Sequence, residues 1–298
     1  MAVTSAEQFP AQEQFRPRLS IRKVYGTVFT AIGLVAILVG LGMLAWLLLD
    51  TLVTGLPWLD WQFLTGFDSR FPARAGAKAA IYGTAYMMFF TIVVALPLGV
   101  MSAIYLEEYA RDGKVKSFIQ INIANLAAVP SIIYGLLGLQ VFVRWMELGR
   151  SVLAGSLTMA LLILPIIVVA TQEALRAVPP SIRDASYGVG ATRWETVRHH
   201  VLPYALPGIL TGNILAASRA IGESAPLITI GALTYVPFTP ENPLDRFTVL
   251  PIQIFNWVSR PQEDFQGVAA AGIIVLLVVL LLMNSVAIFL RQKLQRRF

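Results

Sequence analysis

A chain of 298 residues that is 56% hydrophobic and 13% charged has about half the ~25% charged residues of a soluble domain, and its mean hydropathy of +0.68 belongs to a bilayer protein. The absence of cysteine excludes disulfides and thiolate metal sites, and the only two histidines, His199 and His200, are adjacent, so they do not share the helix face that a metal pair needs. No glycine-rich phosphate loop, Ser–His–Asp set or nucleic-acid motif accompanies the net charge of +6.

The polar residues 1–22 lack helical periodicity and are expected to form a tail, ahead of a transmembrane domain over 23–298. A span needs roughly 20 mainly apolar residues. Six stretches qualify: 24–49, 80–106, 117–143, 152–174, 202–235 and 268–290. The fold class expected is an all-α integral membrane protein of six transmembrane helices. The first stretch is too long for the apolar part of a cleaved signal peptide. Pro130 breaks the third stretch, and a broken helix often lines a cavity. The fifth is long and irregular. About two-thirds of the 23 lysines and arginines fall at the two ends and in the segments after spans two and four. The positive-inside rule therefore places both termini in the cytoplasm. The outer segments 50–79 and 236–266 are rich in Pro, Trp and Phe, and Trp58, Trp61 and Trp257 suit a membrane interface. Glu107 and Glu108 end the second span and are expected to be solvated; Glu173 and Arg176 are expected at the interface.

The segment 173–203, EALRAVPPSIRDASYGVGATRWETVRHHVLP, is too structured for a linker. Pro179 and Pro180 end the preceding helix. Ser181 with Asp184 three residues on resembles a capping box. A short helix then runs to a glycine break at Gly188 or Gly190, and a second starts at Thr192 and stops or kinks at Pro203. Asp184, Ala185, Ser186 and Gly190 offer small side chains on one surface, suited to a groove on a partner. The alternative is an interfacial helix that caps the bundle.

Two full charges stand in the fifth stretch, within SRAIGESAPLI: Arg219 and Glu223. Four apart, they share a helix face and are able to pair. A charge at mid-membrane costs about 2.5–3.5 kcal/mol on insertion scales and is tolerated only beside a partner or a watery cavity. Asn213, nearly two turns earlier, is expected on the same side. Ser131 and Tyr134 are able to donate hydrogen bonds to a passing oxyanion or, more simply, to a neighbouring helix.

The run Asp184-Ala185-Ser186, three residues, Gly190, and then Leu202-Pro203 resembles the EAA loop of bacterial ABC-importer permeases. It departs from that pattern in Asp for Glu, Ser for Ala, and His200 where Ile is usual. The resemblance implies a type I permease fold, with a core over 71–291 and a coupling loop over 173–203. In it Asp184, Ala185, Ser186, Gly190, Leu202 and Pro203 would face a cytoplasmic ATPase. FPARAGAKAAIYGT (71–84), AIYLEEYA (103–110), NLAAVPSIIYGLLGL (125–139), LPIIVVATQEALRAVP (164–179), PGILTGNILAASRAIGESAPLI (207–228) and PIQIFNW (251–257) are similar to the PstA-type permeases of phosphate importers. The sister PstC type shares VPSIIYG and RAIGE and stays an alternative, as do sulfate and molybdate permeases.

That resemblance implies a bacterial inner-membrane transport subunit rather than an enzyme. It would pair with a sister permease as a heterodimer, with two copies of the ATPase and an extracytoplasmic phosphate-binding protein. The chain itself would bind no cofactor, ATP and Mg being used by the ATPase. Phosphate would meet Arg219, whose planar fork matches oxyanion oxygens, while Glu223 competes for the guanidinium so that binding stays weak enough to release. The rival outside this class is an ion-coupled secondary transporter, for which Glu223 would be the intramembrane carboxylate.

Overall fold

A computed structural model describes residues 19–232 and 235–295, and every regular element among them is a helix. The expected tail at 1–22 falls mostly outside the described residues, although helix α1 (Leu19–Gly55) already begins inside it. The chain divides into two compact units, residues 1–50 and 51–298. The first holds most of α1, which with the helical turn after it makes a run, Lys23–Trp58, long and apolar enough to cross a membrane.

The second unit opens with a short helix α2 (Trp61–Thr65), capped by Asp60 accepting from the Phe63 amide. Helix α3 (Lys78–Ile104) follows and continues into one π-helical turn, Tyr105–Tyr109. Then come α4 (Lys114–Ala127), α5 (Ser131–Gly138, continuing as a π-helical segment to Trp145) and α6 (Val152–Arg176). Inside the 173–203 segment lie α7 (Pro180–Gly188) and α8 (Arg193–Thr196), and beyond it run α9 (Leu202–Gly222), α10 (Ala225–Ile230), α11 (Leu250–Val258) and α12 (Asp264–Gln295).

Small residues bring the central helices together, as close packing in lipid requires. On α9, Gly208 and Gly212 lie four apart and meet Ala174 and Ala170 of α6, also four apart. A Cβ at Gly208 would stand 2.9 Å from the Ala174 methyl, and one at Gly212 would overlap that of Ala170. The α3–α6 contact is polar as well as close. Ser156 donates across it to the Met87 carbonyl at 3.0 Å, and Ser156 and Thr91 are both fully buried. Around them sit Met87, Met159, Ile163, Ile167, Leu227 and Phe247. Helix α12 joins α9 through Ser218 donating to Asn284 Oδ1 at 2.5 Å and Arg291 donating to Thr211 Oγ1 at 2.9 Å.

A second core closes the end of the bundle where α3 begins. Asp68 accepts from Trp257 Nε1 at 2.8 Å and pairs with Arg260 at 2.7 Å; Arg260 also lies over the Phe265 ring. Trp257 is fully buried, so it is a core residue and not the interface anchor expected from its loop position. Trp61, by contrast, is largely exposed.

Two of the expected spans are redrawn. The third, 117–143, is the pair α4 and Ser131–Trp145, bent by 101° at the break that Pro130 creates. The fifth, 202–235, belongs to an apolar helical run that begins at Arg193 and ends at Gly222. Glu223 is extended, α10 is a separate helix, and Gly231 takes a left-handed φ of 82° after it. Among the described residues five helices are long and apolar enough to span, six if the bent pair counts as one.

Since Gly212 has no room for a side chain, Gly212→Val should force α9 away from α6 and cost about 1–3 kcal/mol. Thermal denaturation of detergent-solubilised protein measures it, with Leu215→Val, at a largely exposed position, as the control that should change little.

Candidate functional site

Two helix breaks interrupt the apolar region, and its charged pair stands at one of them. After α4, the amides of Ala128 and Val129 bond back to Asn125 and Leu126 in tight turns, and Pro130 has no amide to satisfy. After α9, the Glu223 amide bonds to Ala220 and the Leu227 and Ile228 amides to Ser224. Backbone inside a membrane needs such internal partners. The two short helices that follow the breaks, α5 and α10, pack on each other, and Gly135 is pressed against Pro226 and the Thr229 hydroxyl.

Arg219 and Glu223 stand at the second break. Arg219 Nε lies 3.3 Å from Glu223 Oε1, so the pair is made in this conformation. It is not a pair on one helix face, because Glu223 lies past the end of α9 in extended backbone. At 3.3 Å through Nε alone, the fork of Arg219 keeps its other donors for a further acceptor. The Arg219 side chain is 51% exposed and that of Glu223 21%. A guanidinium half-open on the flank of an apolar bundle requires water or a partner surface beside it.

The remaining pathway candidates divide. Ser131 is half-buried at the first turn of α5. Tyr134 is buried, and its hydroxyl donates to the Leu126 carbonyl at 2.8 Å, tying α5 back to the end of α4. Its proton thus serves the bend, which is the inter-helix role. Asn213 is not on the side of Arg219: six residues turn a helix by about 600°, well short of two full turns. Asn213 is buried with neither amide atom bonded. It opens into a cavity of about 300 Å³ between α3, α6, α9 and α12, lined by Ile92, Leu96, Ile163, Leu210 and Met283 among others.

The 173–203 segment is a folded unit. Helix α7 (Pro180–Gly188) starts with Pro180 in its first turn and Pro179 before it, so Ser181 is not its cap. Gly190, at φ 85°, makes the turn that only glycine adopts cheaply. Thr192 caps α8 (Arg193–Thr196) in a full capping box with Glu195. The box was legible there, at a Thr–Glu spacing, rather than at Ser181–Asp184. The helix does not stop at Pro203; it runs through a π-helical turn, Val197–Val201, straight into α9. Leu202 and Pro203 are partly buried in that run. Asp184, Ala185 and Gly190 are exposed, as a docking surface needs. Ser186 is not: it is buried, with its hydroxyl 2.9 Å from that of Thr196, clipping α7 to α8.

Residues that sequence reasoning set aside hold this unit in place. The Glu108 side chain is only 6% exposed and pairs with Arg183 of α7 at 2.7 Å, and Glu107 pairs with Arg176 at 3.0 Å. Both carboxylates are therefore engaged rather than solvated. Removing one partner of a pair this buried costs about 3–5 kcal/mol. The sequence signal was two adjacent carboxylates ending an apolar span, matched by two arginines seven apart around Pro179-Pro180.

Tyr134→Phe should leave the Leu126 carbonyl with the Val129 amide alone and lower stability by about 1 kcal/mol. Thermal denaturation of the solubilised protein reads that loss; if the variant melts with the parent, the hydroxyl does not hold the bend.

Over residues 95–297 the chain matches the family described as binding-protein-dependent transport system inner membrane component. It is 33% identical over 248 residues to the probable ABC transporter permease protein YqgI of Bacillus subtilis, covering 79% of this chain and 84% of that one. It is 31% identical over 290 residues to the phosphate transport system permease protein PstA 1 of Mycobacterium tuberculosis, covering 94% and 92%. Its fold is that of a solved bacterial alginate ABC transporter in complex with its pentasaccharide-bound periplasmic protein, with a TM-score of 0.65 at 15% identity over 94% of this chain and 98% of that one. The chain, a multi-pass membrane protein and not an enzyme, belongs to the inner-membrane permease components of binding-protein-dependent transport systems.

Proposed function

We propose that this chain forms half of the translocation pathway of an ATP-driven importer of inorganic phosphate. The observation that carries the reading is the Arg219–Glu223 pair, half-open at the α9–α10 break beside the α4–α5 break. Relatives named as phosphate transport system permease PstA, including the Yersinia pestis protein at 31% identity over 287 residues, support phosphate as the cargo. Guanidinium and phosphate match in charge and in the geometry of their oxygens and donors.

In this reading the open flank of Arg219 faces the sister permease across a shared path. Both termini and the 173–203 segment lie in the cytoplasm, where α7 docks on one of two ATPase copies; Asp184, Ala185 and Gly190 offer the exposed contacts. The loops around α2 and α11 receive the phosphate-binding protein on the other side. Closure of the ATPase pair moves α7 and α8, and the continuous helical run from Arg193 to Gly222 carries that motion to the pair at its far end. Phosphate then competes with Glu223 for Arg219. Glu223 keeps the arginine from holding the anion too long, because transport needs release as well as capture.

The test uses vesicles holding this chain, its sister permease and the ATPase, with binding protein supplied outside. Arg219→Gln should lower ATP-dependent uptake of labelled phosphate about tenfold or more, the loss expected for charge-assisted hydrogen bonds. Arg219→Lys should recover little, since an ammonium lacks the fork. Glu223→Gln should lower both KM and the maximal rate, by leaving phosphate on an uncontested arginine. Uptake at the parental rate in Arg219→Gln, with equal assembled complex, would remove the pathway role; ion-gradient uptake without the ATPase would overturn the importer reading itself.

A further inference from the structure

The exposed surface of α7 accounts for docking, but docking alone moves nothing in the membrane. A push on a loop is lost unless the loop is fastened to a span. The run from Arg193 fastens the segment to α9 along the chain; its fastening to α3 is concentrated on one side chain. Arg183 sits one residue before Asp184, and its guanidinium faces inward while Asp184 and Ala185 face out. Nη2 donates to Glu108 Oε1 at 2.7 Å, and Nε reaches both Glu108 oxygens at 3.3 Å. The same guanidinium donates to the Val178 carbonyl from Nη1 and to the Leu175 carbonyl from Nη2, each at 2.9 Å. One residue of α7 thereby holds the Leu175 carbonyl in the last turn of α6, the Val178 carbonyl just beyond it and the carboxylate at the end of α3.

The receiving end is built to match. Glu108 lies in the π-helical turn 105–109 that ends α3, next to Glu107, which takes Arg176 of α6. Arg193 of α8 lies over the ring of Tyr109 in that same turn, 5.9 Å from its centroid. Both helices of the 173–203 segment thus grip the turn YLEEY. Only the Arg183 contact is a buried, forked ion pair, with side-chain exposures of 21% and 6%. Such a pair is directional: it carries displacement in tension and compression and resists rotation, which a single point contact does not.

We propose that Arg183 and Glu108 are positioning residues for energy coupling: the pair through which movement of α7 is passed to α3, and with it to the α3–α6–α9 core. This rests on the reading that α7 docks on an ATPase. A pair that merely stabilised the fold would reduce the amount of complex and leave the stoichiometry of each assembled complex untouched. A coupling pair does the opposite. With it weakened, α7 still follows the ATPase, hydrolysis continues, and the spans respond in fewer cycles.

The experiment compares the parent, Glu108→Gln, Arg183→Lys and the exchanged pair Arg183→Glu with Glu108→Arg in the four-component vesicle system. Complexes are captured through a tag on the ATPase, so that only assembled ones are reconstituted. ATP hydrolysed and phosphate taken up are measured in the same vesicles. Glu108→Gln and Arg183→Lys should raise the ATP consumed per phosphate delivered by about fivefold or more, a loss of coupling of ordinary size. The exchanged pair should bring the ratio part of the way back, because the ion pair re-forms while the Leu175 and Val178 carbonyls lose their donor. A ratio equal to the parent's in both single variants overturns the proposal, and so does failure of all three to assemble, which would make the pair a folding element. Ala185→Trp, on the exposed face of α7, tests the underlying reading separately. Loss of ATPase capture upholds docking whatever the ratio does in the other variants. Undiminished capture and uptake would remove the docking reading and the inference with it.

Discussion

Two methyl groups of α6, on Ala170 and Ala174, rest on the bare backbone of α9 at Gly212 and Gly208, and the position of α9 follows from that contact. In lipid the chain gains nothing by hiding apolar side chains from an equally apolar solvent, so helices associate through close packing and a few hydrogen bonds. The glycines permit the first, and Ser218–Asn284 and Arg291–Thr211 supply the second toward α12. Because the apolar run from Arg193 to Gly222 is continuous, one helical run carries the α8 end of the 173–203 segment and, at its other end, Arg219.

The membrane imposes a second constraint, on the backbone. Helices are interrupted only where the freed amides and carbonyls find partners. Both interruptions, at 128–130 and at 223–224, close on tight turn bonds, and the first also borrows the Tyr134 hydroxyl. Placing α5 against α10 brings the two irregular segments together. The charged pair then sits where the helical cylinder is already open, and Glu223, released from helical geometry, meets Arg219 through a single nitrogen and leaves the rest of the fork unspent.

Charge is otherwise kept to the ends of the bundle. At the end where α3 begins, Asp68 binds Arg260 and the Trp257 indole. At the end where α3 finishes, Glu107 and Glu108 bind Arg176 and Arg183. Both knots join segments far apart in the chain, and in each one carboxylate, Asp68 or Glu108, is buried enough that loss of its arginine leaves an uncompensated charge. The bundle is thus pinned at its two rims, and between them Asn213 faces an apolar cavity with its amide unbonded.

The sequence by itself determined the membrane class, most of the spans, the break at Pro130, the two-helix character of 173–203 with its glycine joint, and the charges worth attention. These are properties of local composition and of proline and glycine geometry, which act over a few residues. It placed Arg219 and Glu223 within reach of each other, but by a helix that ends before Glu223. What lay beyond it was direction. Whether Ser186 faces a partner or Thr196, whether Glu108 meets water or Arg183, whether Trp257 anchors an interface or fills a core, and which way Asn213 turns all depend on residues 10 to 190 positions away. A carboxylate at the end of an apolar run looks solvated until another helix brings an arginine to it. Only the packing of α3, α6 and α9 decided that one did.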